Sequence, residues 1–563
     1  MTRLNRLPVV LMWNMHQPQY RDSSSGRYVL PWTYLHAIKD YTDMAAHLEA
    51  NPEARAVVNF TPVLLEQLDE LAQRVASHLA TGAALPDPVL ALLGPEPIPP
   101  SGPVRLELLR ACLRAQRKHM IERFGPYLEL ATIAETLATL ERVPYASDQL
   151  IHDLAVWYHI AWMGETVRRS DARIAELTEQ GRGFSAGQRR DLLVLIGELL
   201  ARVIPRFRLL AEHGQCELAV SPYGHPIIPL LLDFQAARES APASPLPQHA
   251  AYPGGSERAG WHVAESIRVF SDHFGARPQG CWPSEGAISL GTLELLDQFG
   301  FRWAASSSNV LRASLGVGVD DAGAYNRPYR LPGGNLRCFF RDDRLSDLVG
   351  FTYATWHGDD AAHNLVHELA QLARGYAADA GHAVLIALDG ENAWEHYPFN
   401  GYYFLGALYK ALTEHPMLEL TTLSECVARG VPAVPLPRVS AGSWVHGTLG
   451  TWMGDAAKNA AWDLLCEAKQ AYDEVVAQRS LGAAQRTAVE RQLALCESSD
   501  WFWWFGDYNP PEAVSQFDQL YRRQLTNLYR LLARPVPANL SRPISVGRGS
   551  MEHGGVMRRA FAT

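Results

Sequence analysis

Acidic and imidazole side chains follow four apolar segments of the sequence. His16 follows "VVLMWNM", His225 follows "LAVSPYG", Glu285 follows "GCWPS" and Asp389 follows "VLIAL". A buried strand has no need of such an end, because a buried carboxylate is costly unless it is paired. Two carboxylates that face one cleft suit the cleavage of an acetal: one attacks the sugar carbon while the other protonates the leaving oxygen.

The two acids have different preferred roles. Asp389 is the better general acid, because burial and the neighbouring Glu391 would raise its pKa. Glu285 stands on a rigid Trp-Pro corner and is the better nucleophile. Each residue also has a structural reading: an Asp-Gly pair commonly forms a turn, and a carboxylate favours the start of a helix. The coincidence of several such ends beside Trp282 and Trp394 favours a functional pocket.

Strands that alternate with helices must position these residues. Short apolar runs separated by amphipathic segments predict a parallel β-barrel. The strand ends of such a barrel meet at one face, which would bring the four side chains around one pocket. The predicted strands are "PVVLMWNM", "ARAVVNF", "CELAVS", "PQGCWP", "FRWAASS", "NLRCFF" and "HAVLIAL".

The chain divides into three parts by its sequence patterns. Residues 1–436 carry the βα alternation and form the predicted catalytic barrel, interrupted by a helical insertion at about 104–213. Residues 437–534 change to helices with tryptophan clusters, which predicts a C-terminal α-helical domain. Residues 535–563 are rich in Pro, Gly and Arg and are expected to be a loosely held tail.

Composition narrows the choice of partner and compartment. A net charge of -9 and a pI near 6.1 leave no electrostatic footprint for nucleic acid or an anionic membrane. Seven scattered cysteines without CxxC spacing indicate neither a disulfide framework nor a thiolate zinc site. The first apolar run is too short for a signal peptide and no stretch reaches membrane-spanning length, so we expect a cytoplasmic protein. Fifteen tryptophans suit a neutral sugar partner.

A second arrangement of side chains raises the question of a metal. "HNLVH" places His363 and His367 four residues apart on a predicted helix, with His357 upstream. No glutamate lies between them as in the HExxH pattern, and this helix would lie outside the barrel. We therefore predict no metal and no other cofactor.

Five stretches of the sequence match, in order, the conserved regions of a known family. The chain resembles glycoside hydrolase family 57 over roughly residues 9–530, and the third and fourth regions are the most specific. "SDWFWWFGDY" is also similar to a stretch of many amylase-like members. The five stretches are "MHQP" (15–18), "YGHPI" (223–227), "WPSEG" (282–286), "LDGENAWE" (388–395) and "GSWVHGTLGTWMG" with "NAAWDLL" (442–465).

The resemblance implies a fold, a reaction and a site. The fold is α/β: an incomplete (β/α)7 TIM-like barrel with a helical insertion and a C-terminal α-helical domain. The implied reaction is a retaining double displacement on α-glucans, with Glu285 as nucleophile and Asp389 as general acid/base. The implied sugar-contacting, orienting or platform residues are His16, Gln17, Trp32, His225, Trp282, Glu391, Trp394, Trp444 and Trp452.

Our leading hypothesis is an α-amylase-type hydrolase that cleaves α-1,4 bonds of maltodextrin, glycogen or starch-like chains. A 4-α-glucanotransferase, a glucan branching enzyme and an amylopullulanase share this chemistry and remain open. Two alternatives belong to other classes. One is a metal-dependent deacetylase or mannosidase with His16, His225 and Asp389 as ligands, and the other is a non-catalytic glucan-binding protein. The oligomeric state stays open, and the aromatic run 501–505 fits core packing, a cleft wall or both.

Overall fold

Seven parallel strands form a closed ring in the computed structural model, which describes residues 6–316, 322–376, 379, 381–478, 481–550 and 556–560. The ring order is β1-β2-β3-β4-β5-β7-β8, and it closes where β7 and β8 pair with each other and β8 pairs with β1. The strands are β1 (Leu7–Met15), β2 (Ala56–Phe60), β3 (Cys216–Val220), β4 (Gly280–Cys281), β5 (Trp303–Ser307), β6 (Tyr329–Arg330), β7 (Arg337–Arg341), β8 (Val384–Asp389), β9 (Leu418–Leu420) and β10 (Val434–Pro435).

The seven predicted strands are the seven strands of this ring, so the predicted (β/α)7 barrel is confirmed. The ring is weakly closed, because β4 has two residues and β7 meets β8 through the single pair Arg341 and Leu385. Sequence patterns missed the three short strands β6, β9 and β10, which lie outside the ring. Two or three residues are too few to show a strand periodicity.

Burial on both faces explains the composition of the barrel strands. Eight of the nine residues of β1 and all residues of β2 and β5 are buried. Parallel strands that are covered by helices on one side and by the barrel interior on the other are apolar along their whole length. The polar residues that do occur at their carboxyl ends are therefore conspicuous.

Helices surround the ring and follow most of its strands. The helix Leu290–Gln298, which follows β4, is capped by Ser289, whose hydroxyl accepts a hydrogen bond from the Thr292 N–H. The α-helices of the barrel region are Trp32–His36, Thr42–Glu49, Pro62–Thr81, Ile228–Leu232, Ala237–Ser240, Gly255–Phe274, Leu290–Gln298, Ser308–Leu315, Ala322–Tyr325, Asp343–Asp347, Gly358–Gly375, Tyr402–Glu414 and Leu423–Ala428.

A run of helices separates β2 from β3, at the position of the predicted insertion. Its last helix begins with a capping box, in which Ser185 and Gln188 exchange side-chain and backbone hydrogen bonds. None of the helices in the described part of the chain has the length and apolar character needed to span a bilayer. The insertion helices are Gly102–Ala111, Gly125–Leu137, Asp148–Ala161, Glu165–Ser170, Ala172–Gln180 and Ala186–Glu212.

The C-terminal helices pack against the barrel through a buried ionic cluster. Glu497 accepts hydrogen bonds from Arg258 (2.8 Å) and His262 (2.7 Å), both on the barrel helix Gly255–Phe274. All three side chains are buried, so both contacts are shielded from water. This anchor fixes the segment that begins at Ser498 over the barrel. The C-terminal α-helices are Ala456–Gln478, Ala483–Cys496, Ser499–Trp504 and Pro511–Leu531.

Candidate active site

The carboxyl ends of the strands open into a cavity of about 530 Å³. His16, Glu285 and Asp389 line this cavity, as the parallel arrangement of β1, β4 and β8 predicts. The fourth predicted strand-end residue, His225, is buried directly behind His16, and their rings stack with centroids 3.7 Å apart. The structure therefore brings all four side chains together at one face of the barrel.

Glu285 occupies a strained backbone position. It lies in the turn Ser284–Gly286 with φ +59° and ψ 23°, a left-handed conformation that few residues other than glycine adopt. Such a conformation costs about 1–3 kcal/mol and persists only where the surroundings fix it. Trp444 provides two of these constraints: its N–H donates to the Glu285 carbonyl (3.1 Å), and its indole N–H donates to the carboxylate (2.9 Å). The corner therefore aims the carboxylate into the cavity.

Asp389 is oriented by two amides. Asn14, on the neighbouring strand β1, donates to Oδ1 at 3.1 Å, and Asn392 donates to Oδ2 at 3.1 Å. Arg341, at the end of β7, also lines the cavity, and its charge acts on Asp389. The side chain thus has a fixed direction and an accessible carboxyl group, as a general acid requires.

Glu285 and Asp389 form an electrostatically coupled pair. Burial, followed by the charges of Asp389 and Asp500, raises the pKa of Glu285 to about 8. Burial also raises the pKa of Asp389, and the hydrogen bonds from Asn14 and Asn392 partly offset this rise. Because the two groups interact, the value of about 8 describes the pair, which keeps a proton on either carboxyl group until the pH rises through this value.

Glu391 is a third buried carboxyl group beside Asp389. Burial, followed by the charge of Asp389, raises its pKa well above the ordinary range. Its Oε1 accepts hydrogen bonds from the His16 backbone N–H (3.1 Å) and the Gln17 amide (3.2 Å). The predicted effect of burial on Asp389 is therefore present, and the repulsion between the two carboxyl groups is expressed in the raised pKa of Glu391.

One group of donor atoms among the described residues is compact enough to suggest a metal: ring nitrogens of His16 and His225 and a carboxylate oxygen of Asp500 lie within 4.8 Å of one another. His16 and His225 are stacked with their planes only 21° apart. Lone pairs of ring nitrogens lie in the ring plane, so those of stacked rings run side by side and do not converge on one ion. The donor set does not fit a metal. His357, His363 and His367 form no such group in the described structure.

The predicted substrate-binding residues fall into two sets. The first set lines the cavity, and its tryptophans offer ring surface there: Trp32 is half-buried, and Trp444 packs against the Arg341 guanidinium at 4.9 Å. The second set does not contribute to the described lining. The lining residues are His16, Gln17, Trp32, Glu391 and Trp444, and the others are His225, Trp282, Trp394 and Trp452.

The tryptophans of the second set are buried behind the lining. Trp282 packs edge-on against Trp444, with ring centroids 5.2 Å apart. Trp394 donates its indole N–H to the Gly390 carbonyl (2.8 Å), and so supports the loop that carries Glu391. The ring centroid of Trp452 lies 6.0 Å from that of Trp503, which lines the cavity. These positions suit residues that hold the wall in place.

Sequence reasoning missed several lining residues. Asp500 comes from the C-terminal helices, and the signal for it was the aromatic run that follows it directly, which was expected to pack in the core, wall the cleft or both. Arg341 follows the same strand-end rule as Glu285, because it ends β7, and that signal was available. Met557 and Arg558 lie in the predicted loose tail, yet the Arg558 guanidinium packs on Trp503 at 4.3 Å. The prediction of a loosely held tail is wrong for residues 556–560.

The aromatic run 501–505 has both expected functions. Trp503 and Trp504 line the cavity, whereas Trp501, Phe502 and Phe505 are fully buried. The ring of Phe502 stacks on Trp462 with centroids 4.4 Å apart, within the helical region. The run therefore closes the cavity with two side chains and packs the C-terminal helices with the other three.

The protein is therefore a parallel barrel that places two carboxyl groups from separate strand ends in one cavity. A model of glycosyl hydrolase family 57 matches residues 10–436, and the chain belongs to this family. Membership supports an enzyme that acts on glucans. A comparison with curated protein sequences gives no significant match.

Solved structures show the same fold at low sequence identity. A GH57-type branching enzyme from Pyrococcus horikoshii is 16% identical, with a TM-score of 0.59 over 93% of this chain and 89% of that chain. A GH57 branching enzyme from Thermococcus kodakaraensis is 15% identical, with a TM-score of 0.60 over 95% and 93%. The α-amylase AmyC from Thermotoga maritima is 13% identical, with a TM-score of 0.58 over 94% and 93%.

The shared proton predicts how activity depends on pH. A raised carboxyl pKa means that the proton is present below that pKa and is lost above it. Because the pKa of Glu285 is about 8, the acid pair loses its proton as the pH rises through this value. We expect kcat/KM to fall above about pH 8, tenfold for each further pH unit. A profile measured at substrate concentrations far below KM checks this, and a constant kcat/KM up to pH 10 would contradict it.

Proposed function

We propose that this protein is a retaining enzyme that cleaves α-1,4-glucosidic bonds of maltodextrin, glycogen or starch-like chains. In the first step Glu285 attacks the anomeric carbon while Asp389 protonates the departing glycosidic oxygen. In the second step Asp389 removes a proton from the acceptor. The acceptor attacks the anomeric carbon of the glycosyl-enzyme from the face that the leaving group has left, opposite Glu285. The C–O bond to Glu285 breaks, and both carboxyl groups return to their initial protonation states.

The pairing of Glu285 and Asp389 carries this proposal. Both carboxyl groups line one cavity, come from separate strand ends and act electrostatically on one another. Tryptophan side chains along the same cavity offer flat apolar surfaces that suit the faces of glucose rings. Family membership supports the assignment to glucans.

Water is the acceptor in our leading proposal, which makes the protein an α-amylase-type hydrolase. Transfer to a sugar hydroxyl is the second candidate, because solved structures of the same fold include branching enzymes as well as an α-amylase. The two branching enzymes align with this chain over 89% and 93% of their own lengths, so the similarity includes the insertion and the C-terminal helices around the cavity. The α-amylase AmyC aligns equally far, and the choice therefore belongs to experiment.

Incubation with maltoheptaose separates the two acceptors. For a hydrolase we expect only sugars shorter than seven glucose units, together with one new reducing end for each bond cleaved. For a transferase we expect longer chains and little gain in reducing ends, and new α-1,6 linkages would identify a branching enzyme. Size-resolved products and a linkage analysis provide the measurement. The proposal of glucan cleavage fails if maltoheptaose, glycogen and pullulan are all recovered unchanged.

A further inference from the structure

A carboxylate from outside the barrel reaches the cluster of strand-end residues. Asp500 belongs to the helix Ser499–Trp504 of the C-terminal region and is buried. Its two carboxylate oxygens lie 2.9 and 3.1 Å from Nε2 of His16, at the end of β1. The Ser498 hydroxyl donates to the same carboxylate and fixes its orientation. The contact joins residues 484 positions apart in the chain.

The surroundings of His16 fit an imidazolium. This form donates at both ring nitrogens, and both have partners: Nε2 meets Asp500, and Nδ1 lies 3.2 Å from the Thr61 hydroxyl. The ring stacks on His225, whose pKa is lowered well below the ordinary range by burial and by the charge of His16. His225 is therefore neutral, and the positive charge of the stacked pair belongs to His16.

We propose that Asp500 is a positioning residue that holds His16 as an imidazolium against Glu285 and Asp389. The cation faces two carboxyl groups that share one proton and stabilises whichever of them is ionised. In this way a residue of the C-terminal helices sets the protonation state of the barrel acids. The inference rests on the proposed glucan-cleaving function and adds to it a residue that acts through His16.

The charges around the ring agree with this assignment. Burial alone would lower the pKa of His16, but the charge and hydrogen bond of Asp500 more than compensate, so the His16 pKa is raised. The same contact lowers the pKa of Asp500 despite its burial. Both shifts indicate an ion pair. The titratable groups that face His16 are Asp500, Glu285, Asp389, His225 and, through the backbone N–H, Glu391.

Replacing Asp500 with asparagine tests the inference, because the amide keeps the shape and removes the charge. His16 then loses the partner that keeps it protonated. The Glu285 pKa responds in two opposite ways: a neutral His16 no longer lowers it, and the lost Asp500 charge no longer raises it. The effect of Asp500 is the larger of the two, so the Glu285 pKa falls. We expect the alkaline limb of kcat/KM to move about one unit to lower pH, and kcat at pH 7 to fall about tenfold or more with little change in KM.

A second variant shows whether Asp500 acts through His16. We expect His16→Gln to lower kcat at pH 7 about as much as Asp500→Asn does, and Asp500→Asn to lower it little further in the His16→Gln background. The alkaline limb still moves in the double variant, because the charge of Asp500 also acts directly on Glu285. Asp507→Asn is the matched control: it removes a carboxylate from the same segment at an exposed position away from the cavity lining, and its profile should match wild type.

Three results would overturn the inference: an unchanged alkaline limb in Asp500→Asn, a rise in KM alone, or a kcat of the double variant far below that of His16→Gln. If Asp500→Asn fails to fold, Ser498→Ala replaces it and should give a smaller shift in the same direction. A profile of Ser498→Ala that superimposes on wild type then contradicts the inference. These results are read only against an active wild type, since an inactive wild type refutes the proposed function instead.

Discussion

Replacing Glu285 with glutamine is expected to lower kcat/KM on maltooligosaccharides on the order of 10⁴-fold while the fold stays intact. Glutamine fits the same space and still accepts the indole hydrogen bond of Trp444 through its carbonyl oxygen. It cannot form the glycosyl ester, so the first chemical step has no nucleophile. Initial rates on maltoheptaose, measured with enough enzyme to detect a 10⁵-fold loss, provide the test.

The thermal stability of Glu285→Gln should not fall with its activity. A carboxyl group whose pKa rises from its ordinary value to about 8 on folding destabilises the folded state increasingly as the pH rises through this interval. Glutamine removes this effect, so Glu285→Gln should melt at the same temperature as wild type or higher at pH 8. Glu294→Gln, at an exposed position of the next helix, is the control for both measurements. Full activity of Glu285→Gln would exclude Glu285 as the nucleophile.

Asp389→Asn has the second largest expected effect, and its substrate dependence identifies the role. With natural glucans we expect a loss of about 10²–10⁴-fold, because the leaving sugar hydroxyl needs a proton. An aryl maltooligoside with a nitrophenol leaving group needs no such help. We therefore expect Asp389→Asn to release nitrophenol in a rapid burst and then to stall as the glycosyl-enzyme. Stopped-flow absorbance measures the burst.

Azide distinguishes this stalled state from simple inactivity. A small anionic nucleophile needs no general base, so azide should restore turnover of Asp389→Asn and yield a glycosyl azide with retained configuration. Glu285→Gln should show neither burst nor rescue with the same substrate. Asp360→Asn, on an exposed helix start, controls for the loss of one carboxylate. A burst and rescue in Glu285→Gln instead of Asp389→Asn would mean that the two roles are exchanged.

The barrel and its acid pair were predictable because their signals are local. Each ring strand is a short apolar run, and each of the four polar side chains lies at the end of its strand or within five residues after it. The parallel topology then brings these ends together without any knowledge of long-range contacts. Glu285 illustrates this: its position after a Trp-Pro corner predicted its place, although its positive φ is visible only in the structure.

The remaining parts of the site depend on contacts between distant segments. Asp500 meets His16 only because Glu497 is anchored on the barrel helix Gly255–Phe274, and no pattern near Asp500 encodes that docking. The tryptophans show the second limit. Trp444 and Trp452 look alike in sequence, but only packing decides that Trp444 lines the cavity and Trp452 does not. Whether a tryptophan faces the cavity or lies behind its lining depends on how the whole chain packs.

The cavity wall draws on separate parts of the chain. Its reactive carboxyl groups stand on barrel strand ends, whereas Trp162 comes from the insertion and Trp504 from the C-terminal helices. Under the proposed function, the insertion and the terminal helices can change during evolution, and with them the fit of the glucan, while Glu285 and Asp389 stay in place. We therefore expect relatives to keep the same pair of carboxyl groups and to differ in the glucans that they accept.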